Sequence, residues 1–173
     1  MAHLASLQLS TLLCLFLLSA GAGANAVWQN GLEQLIQRCT PYYETFLAAG
    51  RSEDLAPHLL MAIAARESAC EADAVSAEAA DTGEHAYGLM QILPSTYAGI
   101  SIAGDIRDPH NSIWAAARYL NRTLRPAGYQ HAEELLIAYR WGAKGAKRKR
   151  GLEHEQEYVR DIMYAWSIIA HTL

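Results

Sequence analysis

One acidic residue in this chain stands where acids are uncommon. In the stretch "ARESAC", 65–70, Glu67 follows the run Leu59-Leu60-Met61-Ala62-Ile63-Ala64-Ala65. That run is rich in Ala and Leu and reads as one helix. On a helix Leu60, Ile63, Ala64 and Glu67 share a face, so a carboxylate closes an apolar stripe. Burial disfavours the charged form of a carboxyl and raises its pKa, which is what a general acid working near neutral pH needs. A buried carboxylate held by an arginine of a neighbouring helix has the same spacing, and spacing alone leaves both readings open. Other chemistries find little support. There is no G-x-S-x-G elbow and no Gly-rich phosphate loop. His154-Glu155-Gln156-Glu157 lacks the second His of a zinc-binding H-E-x-x-H, and the seven His are scattered. No metal site and no cofactor is expected. Asn121-Arg122-Thr123 is a formal glycosylation sequon of a kind common by chance.

The elements that must hold Glu67 are helical. Trp28, Leu32, Leu35 and Ile36 recur at helical spacing, Thr40-Pro41 looks like a cap followed by Pro, and Gly50 closes that short helix. Ser52 or Asp54 starts the helix of Glu67. Residues 71–87 read as an ordered loop. Asn111 caps a helix with Ile113, Ala116, Ala117, Leu120 and Leu124, which ends near Pro126-Ala127-Gly128. A further helix runs from His131 to Trp141, stopped by Gly142. The last spans about 153–169, with Tyr158, Ile162, Trp166 and Ile169 inward. No β-alternation is convincing. The expected fold is mainly α, one compact domain over 27–173.

The 173 residues carry a formal charge of −4, which argues against nucleic acid as the main partner. Residues 1–26 hold no Asp, Glu, Lys or Arg. The apolar run Leu12–Leu18 and the small residues Ser19 to Ala26 make the pattern of a secretory signal, cleaved after Ala22, Ala24 or Ala26. A membrane anchor is the competing reading, against which the run is short. Export to the periplasm, or secretion, follows. Cys14 leaves with the signal, so Cys39 and Cys70 remain. An even pair in an oxidising compartment suggests one disulfide, and two buried thiols are the alternative.

Four stretches then occur in a telling order: "ARESAC", "AYGLMQILPST" (86–96), "DPHNSIWAAARYL" (108–120), and "LLIAYRWG" (135–142) followed by "YVRDIM" (158–163). Over roughly 55–165 the chain resembles the lytic transglycosylases of the soluble (SLT) type, which share a lysozyme-like fold with goose-type lysozyme. The resemblance implies that Glu67 is the catalytic acid and base, and Ser68 follows it as the family's Ser does; standing beside the acid, Ser68 is expected to fix its orientation by hydrogen bonding. It implies that Ser76 lines a glycan cleft. Gly88, Leu89, Met90 and Gln91 would form the cleft floor, with Gln91 bonded to the sugar, and Tyr139 would lie close to the scissile bond. Asn111 and Tyr119-Leu120 match a structural helix. The chain departs from the pattern in three places. Arg140 stands where the family usually has Asn, and Leu93 where many members have Met. The segment between Ser76 and Gly88 is longer and carries Glu78, Asp81, Glu84 and His85.

The implied reaction cleaves the β-1,4 bond between N-acetylmuramic acid and N-acetylglucosamine in peptidoglycan, with a 1,6-anhydromuramic product. The implied partners are glycan strands, with the protein a monomer. A domain of this kind behind an export signal resembles the specialised transglycosylases that open the wall for a secretion, conjugation or pilus machine. A hydrolytic lysozyme is the alternative; it needs a second carboxylate, for which Glu71, Asp73, Glu78, Asp81 and Glu84 are candidates. A non-catalytic peptidoglycan-binding component of such a machine is another. The basic run "AKGAKRKRG", 143–151, reads as a solvated loop between helices or as a docking point for an anionic surface.

Overall fold

Every residue from Leu59 to Ala65 is buried, so the helix that carries Glu67 is apolar all round over this run and forms part of the hydrophobic core. The structure is a computed structural model, and it describes residues 31–79, 82–149 and 153–173. The export-like segment 1–26, Asp81 and Arg150 lie outside the described residues. The chain divides into two units, Met1–Gln34 and Leu35–Leu173; the described part of the first is helical. The second holds every candidate site residue and is one compact body of helices.

Helix α1 covers 31–39 and passes through a 3-10 turn, Thr40–Tyr42, into α2, Tyr43–Ser52. Thr40 is therefore no cap. Its hydroxyl donates back to the Ile36 carbonyl at 2.9 Å, inside a continuing helical path. Gly50 does not end α2 either. A Cβ there would stand 2.8 Å from Pro57 Cγ and 2.9 Å from the Leu55 carbonyl, so Gly50 permits the close approach of the next turn. Helix α3, Pro57–Ser68, starts at neither Ser52 nor Asp54 but at a Pro in its first turn, and the same holds for α4, Pro94–Ile100, and α5, Pro109–Arg118. Proline suits this position because its missing N–H has no intrahelical partner there anyway. Asp108, not Asn111, caps α5, accepting from the Asn111 N–H at 2.9 Å. Asn111 instead donates its side-chain amide to the Asp105 carbonyl.

Helix α5 continues through a π-helical turn, Tyr119–Leu124. Helix α6, Ala132–Lys149, breaks direction at Gly142 (φ 66°, ψ 165°) and then resumes, so the basic run is helical up to Lys149 rather than a loop. Lys144, Lys147 and Arg148 are exposed on it. Helix α7 is Glu153–Thr172. Its buried residues among those described are Glu155, Tyr158, Val159, Ile162, Ala165 and Ile169, and Trp166 is only half-buried. Helix α3 packs against α7 and α2, and α2 against α5. The described residues contain no strand; the 71–92 segment is pinned by two isolated antiparallel bridges, Val75 to Tyr87 and Tyr87 to Ile92.

Two polar devices fix this frame. Cys39 and Cys70 are joined by a disulfide across Cα atoms 5.2 Å apart. Cys70 follows Ala69, and both take left-handed backbone at the end of α3 (φ 59° and 53°), a cost of roughly 1–2 kcal/mol per non-glycine residue. Glu53, 1% exposed, accepts from Arg122 and Asn121 and pairs with Arg118 at 3.6 Å. Burial alone would raise its carboxyl; the hydrogen bonds and nearby guanidinium charges outweigh that and hold it below the ordinary value.

Candidate active site

Glu67 is one residue from the end of α3, on a helix that the surrounding core keeps rigid. It is partly buried. Its Oε1 accepts a short hydrogen bond from the phenol of Tyr158 on α7. The Tyr158 ring in turn lies 5.5 Å from the guanidinium carbon of Arg66 and 4.7 Å from that of Arg140, both within cation–π range. Arg66 is bound to Asp161 at 3.2 Å, so it does not pair with Glu67 directly. The partner of the acid is a tyrosine, not the arginine that spacing alone also allowed.

Burial is the largest influence on the Glu67 carboxyl and lifts it above the ordinary value. The Tyr158 hydrogen bond and the charges of Arg66 and Arg140 act the other way. Burial and the neighbouring Glu67 push both Tyr158 and Tyr139 well above the usual phenol range, so both remain O–H donors. The arrangement therefore keeps Glu67 protonated above the ordinary carboxyl range, lets it give that proton away, and stabilises the anion left behind.

The residues expected to touch sugar also make hydrogen bonds within the chain. Ser68 donates to the Leu89 carbonyl at 2.7 Å, tying the end of α3 to the 86–92 loop. The Ser76 hydroxyl accepts from the Ala86 N–H at 2.8 Å and donates to the Ala77 carbonyl. Gln91, itself left-handed (φ 49°), donates its side-chain amide to the Ala74 and Gly88 carbonyls at 3.1 and 3.0 Å. Gly88 (φ 74°) must be glycine, because a Cβ would stand 2.9 Å from the Ile106 carbonyl. The side chains of Leu89 and Met90 are fully buried, so they form a layer beneath any cleft floor and not its surface. Met90 contributes through its backbone: its N–H donates to buried Ser112, and its carbonyl accepts from Tyr139 at 2.7 Å.

The sequence reading missed the role of Tyr158. Its signal is the spacing Glu155-x-x-Tyr158-x-x-Asp161, three polar groups on one side of α7, facing the arginines that flank the acid and follow Tyr139. Among the acidic candidates for a second carboxylate, Glu71 is bound to Arg38 at 2.9 Å and Glu84 accepts from Ser95 at 2.6 Å. Among the described residues no group of three His, Cys, Asp or Glu side chains could hold a metal. Two surface concavities of about 290 and 270 Å³ lie along α6 and beside α5; neither is lined by Glu67, Tyr139 or Tyr158, and the chemistry is not placed there.

The family model of the transglycosylase SLT domain matches residues 44–162, from the second residue of α2 to the middle of α7. The chain belongs to that family. Its fold is similar to that of an inactive mutant of the lytic transglycosylase Slt from Pseudomonas aeruginosa, with a TM-score of 0.62 and 20% identity over 74% of this chain. The chain spans about a quarter of that protein's length, 24%. Among curated proteins none matches it. The mainly helical, lysozyme-like architecture expected from the motif order is the one the chain has.

Proposed function

We propose that this SLT-family domain is a peptidoglycan lytic transglycosylase with Glu67 as its acid and base. The observation that carries the reading is a carboxyl lifted by burial on a rigid helix, with one tyrosine O–H aimed at it. In the first step protonated Glu67 donates to the glycosidic oxygen between N-acetylmuramic acid and N-acetylglucosamine, and the bond to C1 breaks. The carboxylate so formed keeps the Tyr158 hydrogen bond, which strengthens as the charge develops. Glu67 then takes the proton of the muramic 6-hydroxyl as that oxygen bonds to C1, closing the 1,6-anhydro ring. Atoms and protons balance without water, so one protein carboxylate suffices where ordinary glycosidases use two. The engagement of Glu71 and Glu84 elsewhere supports this over hydrolysis.

The pattern of residues 1–26 supports export, and with it action in the periplasm on glycan strands. Local opening of the wall for an envelope-spanning secretion, conjugation or pilus machine is the role we infer from that pattern together with the family. The test is digestion of purified sacculi followed by mass spectrometry. Anhydromuramic products are expected, and Glu67→Gln should lower turnover by about two orders of magnitude or more with the helical fold retained. Full activity in that variant would remove Glu67 from the chemistry, and reducing-end products would replace transglycosylation by hydrolysis.

A further inference from the structure

The position after Tyr139, where the family usually has Asn, carries Arg140. Its guanidinium does not point away into solvent alone. It lies 4.7 Å over the ring of Tyr158 and 5.6 Å from that of Trp141, and its Nε is 3.9 Å from Oε2 of Glu155, which is fully buried. Arg66 makes the matching arrangement at the other end. Its guanidinium is 5.5 Å from the same Tyr158 ring and bound to Asp161. Glu155, Tyr158 and Asp161 are three apart along α7, so one side of this helix presents an acid, a tyrosine and an acid, and each acid holds an arginine that flanks the tyrosine.

We propose that Arg140 is a positioning residue for the reaction: anchored by Glu155, it holds the Tyr158 ring so that the phenol stays on Glu67, and it places a positive charge where the carboxylate forms. The inference rests on the reading of Glu67 as the acid. A ring fixed between two tethered guanidinium groups loses the rotation that would swing its O–H off Oε1. The charge acts on the same group. The ionisable or charged neighbours of Glu67 are Arg66 on its own helix, Tyr139 and Arg140 on α6, and Tyr158 on α7. The tyrosines are neutral in the working range. Among the charged neighbours Arg66 and Arg140 favour the carboxylate, and each is partly offset by its acid on α7. Removing Arg140 should therefore keep Glu67 protonated to higher pH, and removing its anchor Glu155 should shift Glu67 the same way and less far, as Arg140 leaves the ring.

The measurement is an NMR titration of the Glu67 side-chain carboxyl in 13C-glutamate-labelled protein, assigned by the signal lost in Glu67→Gln, beside the pH profile of kcat on soluble glycan. R140Q should move the Glu67 titration and the alkaline limb of the profile to higher pH and lower kcat roughly ten- to a hundredfold, with KM changed far less. R140K, which keeps the charge, should leave the titration where it is in the wild type. E155Q, which frees Arg140 from its anchor, should move the titration to higher pH by a smaller amount, and it carries the test if R140Q does not fold. A Glu67 titration unmoved in R140Q, or moved to lower pH in E155Q, would overturn the proposal. Because the titration needs no turnover, it decides the role of Arg140 even where the wild type cleaves no glycan, the outcome that would instead sink the reading of the enzyme.

Discussion

Tyr158→Phe removes one oxygen and leaves the ring, so it isolates the hydrogen bond to Glu67. Tyr158 is 3% exposed, which leaves little room for a water to replace the lost donor. A hydrogen bond between neutral groups is worth about 1 kcal/mol net and one to a charged group about 1.5–3 kcal/mol. The bond exists in both protonation states of Glu67, so catalysis loses only the difference, roughly 0.5–2 kcal/mol. Each 1.36 kcal/mol is a factor of ten, which predicts a kcat lowered about two- to thirtyfold. KM should change little, since the phenol bonds the acid and not the sugar. The sign of the pH effect follows from the same bond. It favours the carboxylate and so partly offsets the rise caused by burial. Without it Glu67 stays protonated to higher pH, and the alkaline limb of the profile moves up. Turnover of soluble glycan across pH, with circular dichroism as the control for folding, reads both quantities. An unchanged kcat with an unmoved limb would refute the assignment of Tyr158. A loss of more than about a thousandfold in a folded variant would show that the phenol does chemistry of its own, beyond what one hydrogen bond can explain.

Gly88→Ala should destabilise the fold by about 2–4 kcal/mol in urea unfolding, from left-handed backbone plus the overlap of the new Cβ with the Ile106 carbonyl. Breaking the Cys39–Cys70 bridge by Cys39→Ala should cost about 3–4 kcal/mol in the loop-entropy account for a separation of 31 residues. The intact protein should show no free thiol from this pair when denatured without reductant. Glu53, held below the ordinary carboxyl value, contributes stability that is complete above the unfolded carboxyl range and is lost as pH falls through its lowered value. Glu53→Gln should therefore flatten the acid side of the stability profile, read by thermal unfolding at stepped pH, and leave the profile above the carboxyl range with its slope unchanged.

Periodicity made the helices legible because each must bury a stripe. Leu59 to Ala65, the 113–124 face and the inward positions of α7 all announce themselves by spacing of three and four. The ends were harder. Thr40, Ser52 and Asn111 are good capping residues by type, but the helices instead begin at Pro57, Pro94 and Pro109. Helix α4 escaped notice because Pro94–Ile100 is short and has no buried residue, so it carries no apolar stripe to detect. Gly142 was legible as a break but not as a kink, since a single residue can redirect a helix that resumes after it. In the site, Glu67 was visible as an acid closing an apolar stripe. Its partner was not, because Tyr158 lies 91 residues away and satisfies the helical periodicity of a core residue equally well.

Ser68 and the motif residues of the 74–92 segment have a part in the fold as well as in the motif. Ser68, Ser76 and Gln91 have the hydroxyl and amide groups that suit a sugar, and each donates to a backbone carbonyl, Ser68 and Gln91 in part-buried bonds and Ser76 in an exposed one. The carbonyls they satisfy belong to a segment whose described residues have two isolated bridges, positive-φ backbone at Gly83, Gly88 and Gln91, and no strand to pair its backbone. Buried backbone groups without partners are costly, so such a segment keeps one shape only if side chains supply the missing hydrogen bonds. These residues do so, and the Met90 carbonyl, fixed by this bracing, is the acceptor for Tyr139. Tyr139 sits next to Arg140 on α6, and Arg140 reaches the ring that bonds Glu67. The polar motif thus acts on the acid from two sides: Ser68 ties the end of its helix to the loop, and the loop anchors the residue beside the arginine. Its requirement for those residue types follows from holding an irregular loop in register with a rigid helix, which is the condition for an acid to meet a glycosidic oxygen at the right distance.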